Sequence, residues 1–174
     1  SGSLETLNNL TRLMLPMNGL TSLSQGSFSG TIVEELDLTW NLFTTWNEFW
    51  IYPLTITLKN LNLGHNRISN LSPSSFNSAW GVEELRLTDN PLQNLSPDIF
   101  RPLVNLQTLY MADCHLTEII PVWFAGKPAL RILELDNNNI RDLPVNVFDV
   151  STLVHIGLVS NSLRTVDILS FGAS

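Results

Sequence analysis

One position returns along this chain at nearly constant spacing. Asn18, Asn41, Asn66, Asn90, Cys114, Asn138 and Asn161 follow one another in steps of 23, 25, 24, 24, 24 and 23 residues. Aligned on it, seven segments share an L-x-x-L-x-L pattern ahead of the slot, from LTRLMLPMNGLTSL at 10–23 to LVHIGLVSNSLRTV at 153–166. Ten residues beyond the slot stand Phe28, Ile51, Phe76, Phe100, Phe124, Phe148 and Phe171, a second column that is aromatic in six of seven cases. The opening LETLNN adds Leu4 and Leu7 in the register of the end of a preceding repeat. A 24-residue unit cannot bury its own apolar face, so such units are stable only when stacked.

Each column has a physical task. The leucine pattern predicts short parallel strands near 12–15, 35–38, 60–63, 84–87, 108–111, 132–135 and 155–158, with Leu13, Leu36, Leu61, Leu85, Leu109, Leu133 and Ile156 buried beneath them. An Asn after the strand can bond the backbone of neighbouring turns, and stacking makes these side chains a ladder. A thiol fills the same slot as a weak donor, which makes Cys114 structural. The Phe column forms a spine under the opposite side, each ring contributing roughly 1.5–3 kcal/mol through burial by its neighbours.

These residues carry a resemblance to leucine-rich repeat proteins across essentially the whole chain. The 24-residue step with Phe ten residues after Asn is similar to the class found in animal extracellular receptors, such as Toll-like receptor ectodomains and related secreted or adhesion proteins. The resemblance implies an α/β solenoid, a curved horseshoe with a parallel sheet on its concave face and irregular or short helical segments on its convex face. Residues 1–174 then form one domain of about seven repeats. Families of this class close their ends with cysteine-rich caps, and neither end here has a cysteine pair. This marks the chain as an excised segment, or as one with caps of another kind.

The repeat register sorts the aromatic stretch WNLFTTWNEFWIYP at 40–53. Phe43 and Trp46 occupy leucine columns and Ile51 the Phe slot, so these three are expected in the core. Phe49, Trp50 and Tyr52 flank the spine on the convex turn, where the extra residue of this repeat is expected to bulge the chain around YPLTIT. Trp40 stands one position before Asn41, in a column held elsewhere by Met17, His65, Asp89, Asp113, Asn137 and Ser160, and is expected to face solvent at the concave rim. Trp50 and Trp123, assigned to the convex side, are expected to tolerate truncation to Ala with little loss of binding.

The outward wall positions hold Glu34, Glu35, Asp37, Glu83, Glu84, Asp89, Asp113, Glu134 and Asp136 against Arg12, Lys59, Arg86 and Arg131. Nine acids against four bases place five of the chain's seven excess negative charges on one face. A solvated face needs some charge. A recognition wall for a basic or mixed-charge protein uses the same charge, with Asp37, Trp40, Arg86, Asp89, Tyr110, Asp113, Glu134 and Asp136 as contacts, Trp40 and Tyr110 as anchors and Arg86 as counter-charge. Met14 and Met17 give the first repeat an apolar wall and a second candidate contact.

Other chemistries find less support. A net charge of −7 with no basic run argues against nucleic acid and anionic membranes. No apolar run reaches the roughly 20 residues of a membrane span. His65 and His155 stand four repeats apart, roughly 19 Å at the usual strand spacing, so a shared metal is not expected and no metal site or cofactor is. No nucleophile elbow, phosphate loop or H-E-x-x-H helix occurs, and no enzyme is expected. Three N-x-[ST] sequons make Asn9, Asn70 and Asn94 candidate N-glycosylation acceptors, the last two in one column. The expected function is a non-enzymatic protein-binding module of an extracellular innate-immune receptor or secreted glycoprotein, binding a protein ligand or co-receptor. Alternatives are an adhesion or guidance ectodomain, or a scaffolding segment that self-associates through uncapped ends at Leu4, Leu7, Leu10 and Leu13 and at Leu163, Val166 and Phe171.

Overall fold

The computed structural model describes residues 7–92 and 95–172. Leu4 and Asn94 lie outside these residues. Seven strands, β1 (Arg12–Met14), β2 (Glu35–Asp37), β3 (Asn60–Asn62), β4 (Glu84–Arg86), β5 (Thr108–Tyr110), β6 (Ile132–Glu134) and β7 (His155–Gly157), form one sheet in sequence order. Every pairing is parallel, and the central leucines are register partners, as in Leu36↔Leu61 and Leu85↔Leu109. The chain is a parallel-sheet solenoid of about six turns, as the resemblance implies.

Each strand ends one residue sooner than the sequence pattern predicts. The ladder nonetheless continues, with Leu38 N donating to Asn62 O and Leu87 N to Tyr110 O. The strand then breaks at one residue of left-handed backbone in every repeat: Met17, Trp40, His65, Asp89, Asp113, Asn137 and Ser160 all have φ between 53° and 57°. Non-glycine residues seldom take this conformation, Asn, Asp and His most readily. Four of the seven are of those types. The turn aims the following Asn inward.

There the Asn does two jobs. Asn66 Nδ2 donates to Leu63 O and Gly64 O of its own turn and to Leu38 O of the preceding one, while its Oδ1 accepts Phe43 N. Asn41, Asn90, Asn138 and Asn161 repeat the pattern. Cys114 fills the slot only partly. Its Sγ donates to Leu87 O at 3.3 Å, but a thiol has no carbonyl oxygen beside its donor, and Leu92 N turns to Asn90 O at 2.7 Å instead. Burial pushes the Cys114 thiol up to about 12. A cavity of about 280 Å³ opens beside this turn, lined by Leu92, Leu95, His115 and Trp123 among others.

On the convex side the Phe column is buried from Phe28 to Phe148, with Phe76 stacked on Phe100 and Phe124 on Phe148 at 6.1 and 6.2 Å. The extra residue near position 52 falls in a distinct local fold. Two successive 3-10 turns, Glu48–Trp50 and Tyr52–Leu54, absorb it, the first capped by Asn47 Oδ1 accepting Phe49 N.

Three expectations need correction. Leu13 and Ile156 are only half-buried, because each lies on an outermost strand with a neighbour on one side. Trp123 is core, not convex padding: it is 2% exposed, and its Nε1 donates to Ser96 O at 3.1 Å. Pro121 starts a 3-10 turn over Pro121–Trp123 that places the indole edge-on between Phe100 and Phe124. Trp50 is likewise half-buried against Phe43 and Trp46.

Candidate recognition site

The outward positions of the strands form the wall. Along the strands of this wall charges pair. Arg12 Nε meets Glu35 Oε2 at 2.7 Å, Lys59 Nζ lies 3.5 Å from Glu34 Oε2, and Arg86 Nε meets Glu84 Oε1 at 2.6 Å. Exposed pairs of this kind contribute little to stability, but they set the surface potential. The three pairs cancel, which leaves Asp37, Glu83, Asp89, Asp113, Glu134 and Asp136 against Arg131, and three of these acids, Asp89, Asp113 and Asp136, stand at or next to the rim.

The rim is the left-handed column, and two groups of its side chains are in contact, Trp40–His65–Asp89 and Asp113–Asn137. The Trp40 indole stacks on the His65 ring with centroids 4.2 Å apart and planes within 8°. His65 Nδ1 meets Asp89 Oδ2 at 2.8 Å, and Asn137 Nδ2 donates to Asp113 Oδ2 at 3.2 Å. Trp40 remains 52% exposed and Met17, beside it in the column, 77%. The result is a preset apolar ridge followed by an acidic stretch. His65 is the functional candidate that sequence reasoning passed over. Its place in the same column as Trp40, one repeat on, was the available signal.

The other sequence-predicted contacts are more occupied than their positions imply. Tyr110 points outward, but the Arg86 guanidinium lies over its ring, Cζ 4.0 Å from the centroid, so Arg86 is a lid on Tyr110 while paired with Glu84. Asp37 Oδ1 accepts both Thr39 N and Thr39 Oγ1. Glu134 meets His155 Nε2 at 2.9 Å, and Asp136 Oδ1 accepts Val159 N. Gly157 makes room for both acids, since a Cβ there would collide with the Glu134 and Asp136 carboxylates. Met14 is exposed on β1. Asn9 and Asn70 are both exposed.

Among the described residues, no group of three or more His, Cys, Asp or Glu side chains could hold a metal ion. No helix among them is long and apolar enough to cross a membrane.

The family pattern for the leucine rich repeat matches residues 56–116 and 105–163. The chain belongs to the leucine rich repeat family. A search of curated proteins finds no match. Among solved structures, that of the TLR13–ssRNA13 complex is similar, with a TM-score of 0.87 and 28% identity over 94% of this chain. The match spans 23% of that TLR13 chain. That complex contains RNA, so membership of the repeat family does not exclude a nucleic-acid ligand. The exclusion read from net charge finds no support in the comparison.

Proposed function

We propose that the chain is a non-enzymatic protein-binding segment of an extracellular recognition receptor, and that it binds a protein through the rim and the adjacent wall. The observation that supports this reading best is the Trp40–His65–Asp89 array. An exposed indole held flat by a stacked imidazole, itself fixed by a carboxylate, gives up little side-chain freedom on binding, as hot-spot anchors should. The acids beyond it favour a partner that brings an apolar group to Trp40 and basic groups to Asp89 and Asp113. Extracellular placement, glycosylation at the sequons of Asn9 or Asn70 and a role in innate immunity are parts of the same proposal. An adhesion ectodomain, or a scaffold associating through exposed ends such as Val166 and Phe171, uses the fold differently.

The test is a screen of the chain against an array of secreted and cell-surface proteins, followed by titration of each hit with variants. Trp40→Ala should weaken binding by about 30-fold or more, the scale of a buried anchor. Asp89→Asn with Asp113→Asn should mainly slow association and flatten its salt dependence. Tyr52→Ala and Phe49→Ala replace the tryptophan controls corrected above, being convex and 65% and 51% exposed. Hits that lose binding with the convex pair and keep it with Trp40→Ala would refute the rim assignment.

RNA is the second reading, supported by the TLR13 complex and by the stackable face of Trp40. Titration with a labelled single-stranded RNA separates the two, because the acidic rim should repel phosphate.

A further inference from the structure

The flank of the solenoid that leads into the strands carries a row of residues that the wall reading does not use. Five residues before the buried strand leucine, or four where the repeat is shorter, stand Ile32, Ile56, Trp80, Val104, Pro128 and Thr152. Ile32, Ile56, Trp80 and Val104 are 44, 81, 57 and 51% exposed, and Pro128 is exposed as well. The loops at the middle of the row touch. Gly81 N donates to Thr55 O, a Cβ at Gly81 would stand 2.9 Å from Leu58 O, and Asn105 Nδ2 donates to Trp80 O at 2.8 Å. Shallow grooves run beside the row, one lined by Trp80, Val104 and Pro102 and the next by Pro128, Ala129 and Val154. Solubility favours polar residues at an exposed repeat position, so five successive apolar ones mark a surface that is covered in use.

Two features identify the cover. The row is symmetric about its bulkiest member: Ile56 and Val104 flank Trp80, with Ile32 and Pro128 beyond them. The neighbouring column toward the wall reads Glu34, Lys59, Glu83, Gln107 and Arg131, joined in sequence by backbone bonds such as Lys59 N to Glu34 O and Arg131 N to Gln107 O. Its two ends carry opposite charge. Arg131 forms no salt bridge among the described residues, and Glu34 has only the 3.5 Å contact with Lys59.

We propose that this flank is a self-association surface, on which a second copy of the chain packs antiparallel. A two-fold axis lies between the flanks, at right angles to the row, and passes through Trp80. It sets Trp80 against Trp80, Ile56 against Val104, Ile32 against Pro128, and Glu34 of each copy against Arg131 of the other. Such isologous pairing closes on itself and makes a dimer, not a filament. One meeting is unfavourable: Glu83 faces its own copy near the axis, moderated by Gln107 Nε2 at 2.8 Å. The five paired positions, at the strand spacing, make a patch about 19 Å long and one loop wide. That is smaller than a standard interface, and the dimer should dissociate at about 10–100 µM. The flank is separate from the rim, so this proposal does not depend on the proposed function.

Sedimentation equilibrium of the whole chain through the micromolar range tests it. A reversible monomer–dimer equilibrium is expected. Trp80→Ala should weaken it at least about tenfold. Glu34→Arg and Arg131→Glu should each weaken it several-fold, and combining them should restore the wild-type constant. Glu83→Gln should tighten it. The charge variants lie on exposed side chains and decide the matter even if Trp80→Ala perturbs folding. A chain that stays monomeric throughout would overturn the proposal. So would a double charge variant no better than the singles, or a dimer insensitive to the flank and abolished by Phe171→Glu at the solenoid end or Trp40→Ala on the rim.

Discussion

The third and fourth strands and the first strand are built from the same sequence pattern, yet they differ in what the pattern achieves. Leu61 and Leu85 are 1% and 0% exposed, while Leu13, in the same column, is half-buried. Asn66 and Asn90 each bond two turns, whereas Asn18 is exposed and reaches only Leu15 O and Pro16 O of its own turn. The last strand repeats the lesson with Ile156. A repeat position specifies where a side chain points; the neighbouring repeats decide whether it is buried.

The comparison breaks first at the leucines. Leu85→Ala should cost about 3–4 kcal/mol and Leu13→Ala about 1 kcal/mol, since only the former leaves a cavity walled on every side. Urea unfolding of both variants checks this, and equal costs would deny the neighbours their role. At the Asn slot the contrast is smaller. Asn90→Ala strands Ile68 N and the carbonyls of Leu63 and Leu87, a loss of about 2–3 kcal/mol, against a few tenths for Asn18→Ala.

The Cys114 slot gives the smallest and sharpest effect. Cys114→Asn restores an acceptor for Leu92 N and should stabilise by about 1 kcal/mol, read as a rise in Tm. The pH dependence has a definite sign. The folded thiol titrates near 12 and its ordinary value is 9.0, so the unfolded chain loses its proton first. The stability due to the neutral buried thiol is complete below pH 9 and falls as pH rises from 9 toward 12. The difference between wild type and Cys114→Asn across that range isolates it from the tyrosines and lysines. A native-state thiol reagent should label Cys114 only through unfolding.

Much of this was legible in the sequence. The slot spacing placed all seven strands and their parallel register, and it sent Phe43, Trp46 and Ile51 to the core. Trp123 was misread because its neighbour Phe124 already fills the spine column. What brings it inward is the turn set by Pro121, a local geometry that a 24-residue period averages away. The rim column was seen, but not its left-handed backbone or the stacking of Trp40 on His65, because periodicity fixes the direction of a side chain and not its partner. Charge pairing was within reach: Arg12 and Glu35 are register partners on adjacent strands. Such pairing cancels Arg12, Lys59 and Arg86 against Glu35, Glu34 and Glu84 and leaves the unpaired acids to set the field of the wall.

Hydrogen exchange tests the dependence on neighbours most directly, because the compared bonds are alike. Leu87 N to Tyr110 O and Met111 N to Glu134 O measure 2.8 Å, and the outer Leu15 N to Asp37 O and Leu135 N to Gly157 O measure 2.8 and 2.9 Å. If stacked neighbours supply the stability, the amides of Leu87 and Met111 should exchange slowest, and those of Leu15 and Leu135 at least about tenfold faster through local opening. Equal protection at all four, or slower exchange at the outer pair, would contradict the account.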